Sequence, residues 1–202
     1  MTWVKVCGLT RESDVAASVE AGADALGFVL APESARCIRP ERAADLMDGV
    51  PALRVVLTVD ASVEQVAAVV ASTMADGLQP YGRHAAEVAA WGQANGLLVL
   101  HPLRRVSAGS WGEEMVRNGQ IRLLDSASGT ALGGTGVPLD WDSMQQPRQR
   151  FVLAGGLDPT NVATAITTLR PWGVDASSGL ESAPGVKDPA RVAAFVEEAK
   201  RQ

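Results

Sequence analysis

Trp3-Val4-Lys5-Val6-Cys7-Gly8-Leu9-Thr10 reads as one short buried strand that ends on a thiol and breaks at a glycine. Val4 and Val6 are β-branched, and a brief run without clean polar alternation suits a strand covered on both faces. Gly8 stops it, and Thr10 is placed to N-cap the helix that follows, with Asp14 in its early turns. The C-terminal tip of a parallel strand is where α/β folds keep their chemistry. Cys7 is therefore either a reactive group or a small apolar plug, since free cysteine is commonly a core residue.

Outward from this stretch, strand-like and helix-like segments alternate. The strands expected are Val4–Cys7, Ala25–Leu30, Leu53–Val59, Gly77–Gln79, Leu97–Leu100, Ile121–Asp125, Phe151–Ala154 and Val174–Ala176. Helical spacing of apolar residues falls in Arg11–Ala21, Glu41–Asp48, Val63–Thr73, His84–Ala94, Pro159–Leu169 and Pro189–Lys200. A repeated β-then-α order implies a parallel sheet, and about eight repeats in one domain most simply close on themselves. The expected architecture is a compact, single-domain (β/α)8 TIM barrel over residues 1–202. Helices should be short or missing around 101–120, where Arg105–Arg117 is polar and glycine-broken, and around 126–147, where only Trp141–Gln145 looks helical. An open doubly wound sheet is the alternative, but the glycine-rich GxGxxG turn it would normally carry is absent.

The 202 residues are 47% hydrophobic and carry a net charge of −5. No basic footprint suits nucleic acid, although local loops can still receive a small anion. Neither a membrane-length apolar run nor a secretory pattern at the N-terminus is present, so no membrane partner and a cytoplasmic location are expected. Cys7 and Cys37 cannot build a disulfide framework, a bridge between them is a minor alternative, and no CxxC pair suggests a metal.

In a barrel, function lies just after each strand. Those positions are Cys7-Gly8, Ala31–Arg36, Thr58–Asp60, Gln79–Gly82, His101, Asp125, Ala154–Gly156 and Ser177–Gly179. Gly155-Gly156 is followed by Asp158-Pro159, a helix start with Pro at N1, and Ser177-Ser178-Gly179 follows the last strand. Two small-residue loops at paired positions favour a phosphate site over mere tight turns. Asp125 is either a structural cap or an acid, and as an acid it needs its pKa raised. Gly133-Gly134-Thr135-Gly136 could be a flexible cover that does this. Lys5 shares the face of Cys7 and either favours the thiolate or supports the barrel floor. Arg36 is a surface arginine or a carboxylate fork.

Taken in order, Lys5–Thr10, Gly27–Leu30, Ser34-Ala35-Arg36, Leu124-Asp125-Ser126, Gly133–Gly136, Leu153–Leu157, Asp175–Glu181 and Gly185–Asp188 resemble phosphoribosylanthranilate isomerase. The resemblance implies an Amadori rearrangement of N-(5'-phosphoribosyl)anthranilate to the ribulose isomer in tryptophan biosynthesis, without cofactor. It implies Asp125 as general acid, protonating the ribose ring oxygen, and Cys7 as general base, removing the C2′ proton. Arg36 would hold the anthranilate carboxylate, with Lys5, Gln79 and Asp175 also against the substrate. Gly134, Gly155, Gly156, Ser177, Ser178 and Gly179 would take the phosphate. The sole partner expected is this phosphorylated small molecule, and the chain would act as a monomer or homodimer.

Two departures stand out. The family usually has Gln-Leu-His-Gly after strand four, where this chain has Gln79-Pro80-Tyr81-Gly82, and Phe-Val-Asn at the end of strand three, where it has Thr58-Val59-Asp60. Two other readings compete. A bifunctional phosphoribosyl sugar isomerase would typically place an aspartate at the first strand end, where Cys7 stands. A non-catalytic phosphate-binding barrel has no need of both Cys7 and Asp125.

Overall fold

Eight parallel strands close into a barrel in a computed structural model that describes residues 1–103, 105–107, 110–111, 119–125 and 149–202. They are β1 (Trp3–Cys7), β2 (Ala25–Val29), β3 (Leu53–Val59), β4 (Gly77–Tyr81), β5 (Leu98–Leu103), β6 (Ile121–Leu124), β7 (Phe151–Leu153) and β8 (Gly173–Ala176). Their spatial order follows the chain, and β8 returns to β1 with Trp3 opposite Gly173 and Val6 opposite Ala176. Helices α1 (Glu12–Glu20), α2 (Pro40–Met47), α3 (Val63–Thr73), α4 (Ala85–Ala94), α5 (Val162–Leu169) and α6 (Pro189–Arg201) intervene. This is the (β/α)8 fold expected from the alternation. No helix among the described residues is long and apolar enough to cross a membrane.

After β5, the described residues hold an antiparallel pair, 105–107 with 110–111, and the rest of the expectation for 101–120 lies outside the described residues. The expectation for 126–147 lies outside the described residues.

Local chemistry sets most boundaries. Ser62 and Gln65 form a reciprocal capping box at α3. Asp188 caps α6 by accepting from the N–H groups of Ala190 and Arg191, with Pro189 in the first turn. Two expected starts are corrected. Thr10 does not cap α1: Arg11 holds that position without a side-chain cap, and the Thr10 hydroxyl donates to the Gly185 carbonyl at 2.6 Å. Pro159 precedes α5, because Asp158 Oδ1 gathers the N–H and hydroxyl of Thr160 into a turn that leads to Asn161 and Val162.

The two-residue period of the strands sorts the core into two layers. Leu26, Phe28, Val56, Leu78, Leu124, Leu153 and Val174 face the helices in one cluster. Ala25, Val55, Leu100, Ile121, Leu123 and Val152 form a second, inside the barrel. Trp3 and Trp172 stack below it with centroids 5.0 Å apart, and Arg150 lies 3.7 Å over the Trp172 ring.

Above this apolar floor the inward positions turn polar. Two strands run further than the sequence suggested: β4 continues through Tyr81 and β5 through Leu103. His101 is thus inside β5, not at its end. With Leu100 in the interior cluster, alternation turns His101 outward, where it is buried away from the barrel mouth.

Candidate active site

The C-terminal strand ends surround a cavity with roughly 680 Å³ of atom-free space, solvent at its mouth included. Cys7, Gln79, Tyr81, Asp125 and Asp175 line it from the strands. Arg36, Gly155, Gly156, Ser177, Ser178 and Gly179 line it from the loops. Cys7 and Asp125, far apart in sequence, therefore face one space.

The floor of this space is a buried cation. Lys5 is fully buried, and its Nζ donates to Asp175 Oδ2 at 2.8 Å and Gln79 Oε1 at 2.9 Å. Burial pulls the Lys5 ammonium down, but Asp175 and the Cys7 thiol outweigh it, and the net direction is up. Lys5 thus stays charged, bonded to Asp175 and Gln79 and next to Cys7. Asp175 keeps a second oxygen, Oδ1, buried with no hydrogen-bond partner among the described residues.

Cys7 is 5% exposed. Burial pushes its thiol up, Lys5 pulls it down, Asp175 pushes it up again, and the net direction is up. The sulfur fits because β2 carries Gly27 opposite it. A Cβ at Gly27 would sit 2.7 Å from Cys7 Sγ and 3.0 Å from Lys5 Cε. Cys37 is exposed and both cysteines are free, so no bridge joins them.

Across the cavity, Asp125 Oδ2 accepts from the Tyr81 hydroxyl at 3.2 Å, and Tyr81 in turn accepts from Gln79 Nε2 at 2.9 Å. Burial, and then the Asp125 charge, push the Tyr81 phenol well above its ordinary value, so it remains a neutral donor. Sequence reasoning gave Tyr81 no role. Its one signal was polarity at an inward register position two residues beyond Gln79.

Arg36 forms a bidentate pair with Glu181, with Nε to Oε1 and Nη2 to Oε2 each at 2.7 Å. Two of its five N–H donors are so engaged, leaving three for a ligand. Its stem crosses the backbone of Gly8, where φ is +77° and a side chain would meet Arg36 Cδ. Glu181 also accepts from Lys187 Nζ at 2.9 Å, and the same ammonium donates to the Ser177 carbonyl at 3.1 Å. Burial alone would push the Glu181 carboxyl up; Arg36 and Lys187 together hold it below its ordinary value. Burial holds the Lys187 ammonium down despite Glu181. Both residues sit on a hairpin, Glu181–Ala183 with Val186–Lys187, pinned to α1 by Asp14 Oδ2 accepting from Lys187 N–H at 3.0 Å. Sequence reasoning missed Glu181 and Lys187 as parts of the site.

The loops after β7 and β8 meet where Gly179 packs on the Leu157 carbonyl, an approach that a Cβ would block. Gly155 and Gly156 adopt φ of +84° and +69°. Asn161 Nδ2 ties the Gly156 carbonyl at 2.9 Å. Among the described residues, the N–H groups of Gly155, Gly156, Ser178 and Gly179 donate to no other backbone carbonyl. Four such donors at the lining of one cavity suit an anion. Gly134 and the Gly133–Gly136 cover lie outside the described residues. No group of three or more metal-ligating side chains occurs among those described.

Residues 4–198 match the family model described as N-(5'phosphoribosyl)anthranilate (PRA) isomerase. A protein of Geotalea uraniireducens named N-(5'-phosphoribosyl)anthranilate isomerase is 41% identical over 204 residues, which cover 99% of either chain. Phosphoribosyl anthranilate isomerase from Thermus thermophilus superposes with a TM-score of 0.84 at 31% identity, covering 99% of both chains. A phosphoribosyl anthranilate isomerase solved in complex with reduced 1-(o-carboxyphenylamino)-1-deoxyribulose 5-phosphate has a TM-score of 0.79 at 32% identity, covering 100% of both.

Proposed function

The chain belongs to the N-(5'-phosphoribosyl)anthranilate isomerase family, and we propose that Cys7 and Asp125 do the proton chemistry of that family's reaction in it. The activity is the isomerisation of N-(5'-phosphoribosyl)anthranilate in tryptophan biosynthesis. The assignment of residues is carried by one observation: a thiol on β1 and a carboxyl just after β6, three strands away around the barrel, line the same cavity as the glycine-rich loops after β7 and β8.

Asp125 protonates the ribose ring oxygen, and the ring opens to an iminium. The iminium acidifies the C2′ hydrogen, which Cys7 removes as a thiolate favoured by Lys5. The enolamine formed tautomerises to the ketone. The phosphate occupies the N–H groups of Gly155, Gly156, Ser178 and Gly179, with the hydroxyls of Ser177 and Ser178 beside them. Arg36 offers its remaining donors to the anthranilate carboxylate, and Asp175 Oδ1 accepts from a sugar hydroxyl. Every group named comes from one chain, so monomer and homodimer both accommodate the reaction. Cytoplasmic operation belongs to the same proposal, since a phosphorylated substrate does not cross a membrane unaided.

The test is a fluorescence assay of purified protein with freshly made N-(5'-phosphoribosyl)anthranilate. Wild type should consume it, and Asp125→Asn should lower kcat by a factor on the order of 10³. Full activity in Asp125→Asn would mean that another acid opens the ring.

A further inference from the structure

A lysine ammonium has donors and no acceptor. The Gln79 side chain must therefore turn its oxygen to Lys5, and its amide N–H then points at Tyr81. Tyr81 has one hydroxyl proton. With its oxygen accepting from Gln79, that proton goes to Asp125 Oδ2. The polarity of the whole row is thus set at its buried end, where Asp175 holds Lys5 at 2.8 Å. Lys5 is 0%, Gln79 2% and Asp175 5% exposed, so water does not offer this end of the row an easy alternative. The same ammonium lies beside Cys7, so the base and the acid are both referred to one fixed charge.

We propose that the row Asp175–Lys5–Gln79–Tyr81 aims the general acid, with Tyr81 as the positioning residue at its tip. The hydroxyl holds Oδ2 of Asp125 as an acceptor, and the transferable proton then belongs on Oδ1. Tyr81 touches the acid and acts through it. The proposal rests on Asp125 being the acid, and its test separates the two.

Tyr81→Phe removes the donor and keeps the ring. Its kcat should fall about ten- to a hundredfold, the scale of a slightly misplaced reacting group, while affinity for the reduced product analogue stays within about twofold. Gln79→Glu keeps the contact with Lys5 but has no N–H to give Tyr81. The Tyr81 hydroxyl then turns to the new carboxylate and leaves Asp125, so kcat should fall on a similar scale. Since both variants break one connection, the double variant should be no slower than the slower single one. Full kcat in Tyr81→Phe would overturn the proposal. So would a loss confined to analogue affinity, or losses that multiply in the double variant. Asp125→Asn, measured beside them, tells the two ideas apart: its full activity would remove the acid assignment itself, whereas its inactivity beside an unimpaired Tyr81→Phe would remove only the aiming role.

Discussion

Cys7 is the residue on which opposing forces are most evenly set. Burial keeps its thiol protonated, and Lys5 works against burial without overcoming it. A base whose pKa is raised is mostly in its inactive, protonated form at neutral pH, and the active thiolate grows with pH until that pKa is passed. The iodoacetamide reactivity of wild type in excess over that of Cys7→Ser should therefore rise by nearly tenfold per pH unit from about pH 6 to about pH 8; a flat excess there would contradict a thiol that rests protonated. Gly27 makes room for the sulfur, and Gly27→Ala would put a methyl 2.7 Å from it. That variant should cost about 1–3 kcal/mol of stability and lower kcat at least tenfold, read by thermal melts and turnover together. Cys7 and Asp125 were legible as cavity residues because each ends an apolar run, where a barrel opens; Arg36, in the loop beyond Leu30, was open between a surface residue and a carboxylate fork, and only the resemblance put it in the site. Tyr81 was not legible: its role comes from a hydrogen bond to Asp125 on another strand, and no local pattern announces such a pair. Gly27 carried a readable signal, a glycine inside a buried strand, which marks close approach.

At the scale of elements, the hairpin Glu181–Lys187 is what holds Arg36. It is clamped to α1 through Asp14 and to the loop before α1 through Thr10, so helix, hairpin and loop form one support. Glu181→Gln leaves the fork of Arg36 without its charged partner. The KM for N-(5'-phosphoribosyl)anthranilate should rise about tenfold while kcat stays within about threefold, since the interaction serves binding. An unchanged KM would separate Glu181 from Arg36. The same contact has an acid signature. Folding holds Glu181 below its ordinary 4.5, so its stabilisation is complete above that pH and fades as pH falls beneath it. In thermal melts from about pH 6 down to about pH 3.5, Glu181→Gln should show a shallower fall than wild type. Elements with a local cause were readable, such as α3 with its capping box and α6 with Asp188-Pro189. The starts of α1 and α5 were misread because Thr10 answers to Gly185, far away in the chain, and Asp158 builds its own turn first. The strand ends were cut short at Gln79 and Leu100 because a proline follows each within two residues, Pro80 and Pro102, and proline reads as the end of a strand.

At the scale of the molecule, the barrel is divided along its axis into an apolar base and a polar mouth. The base, with Trp3, Trp172 and the interior cluster above them, closes the cylinder and takes no part in chemistry. Trp172→Ala should therefore cost roughly 3 kcal/mol of stability and leave kcat unchanged below the melting range; a matching loss of kcat would show that the two halves are coupled. The mouth is where separate strands deliver the proposed base, the proposed acid and two glycine-rich loops to one space. The order of βα units was enough to show that these tips converge, but not that one buried lysine lies next to Cys7 and bonds Gln79, which reaches Asp125 through Tyr81. The most direct trial of the account is the kcat of Cys7→Ser against its affinity for the reduced product analogue. The account predicts a loss of kcat on the order of 10³ with affinity within about twofold. A Cys7→Ser enzyme that turns over at close to the wild-type rate would contradict it.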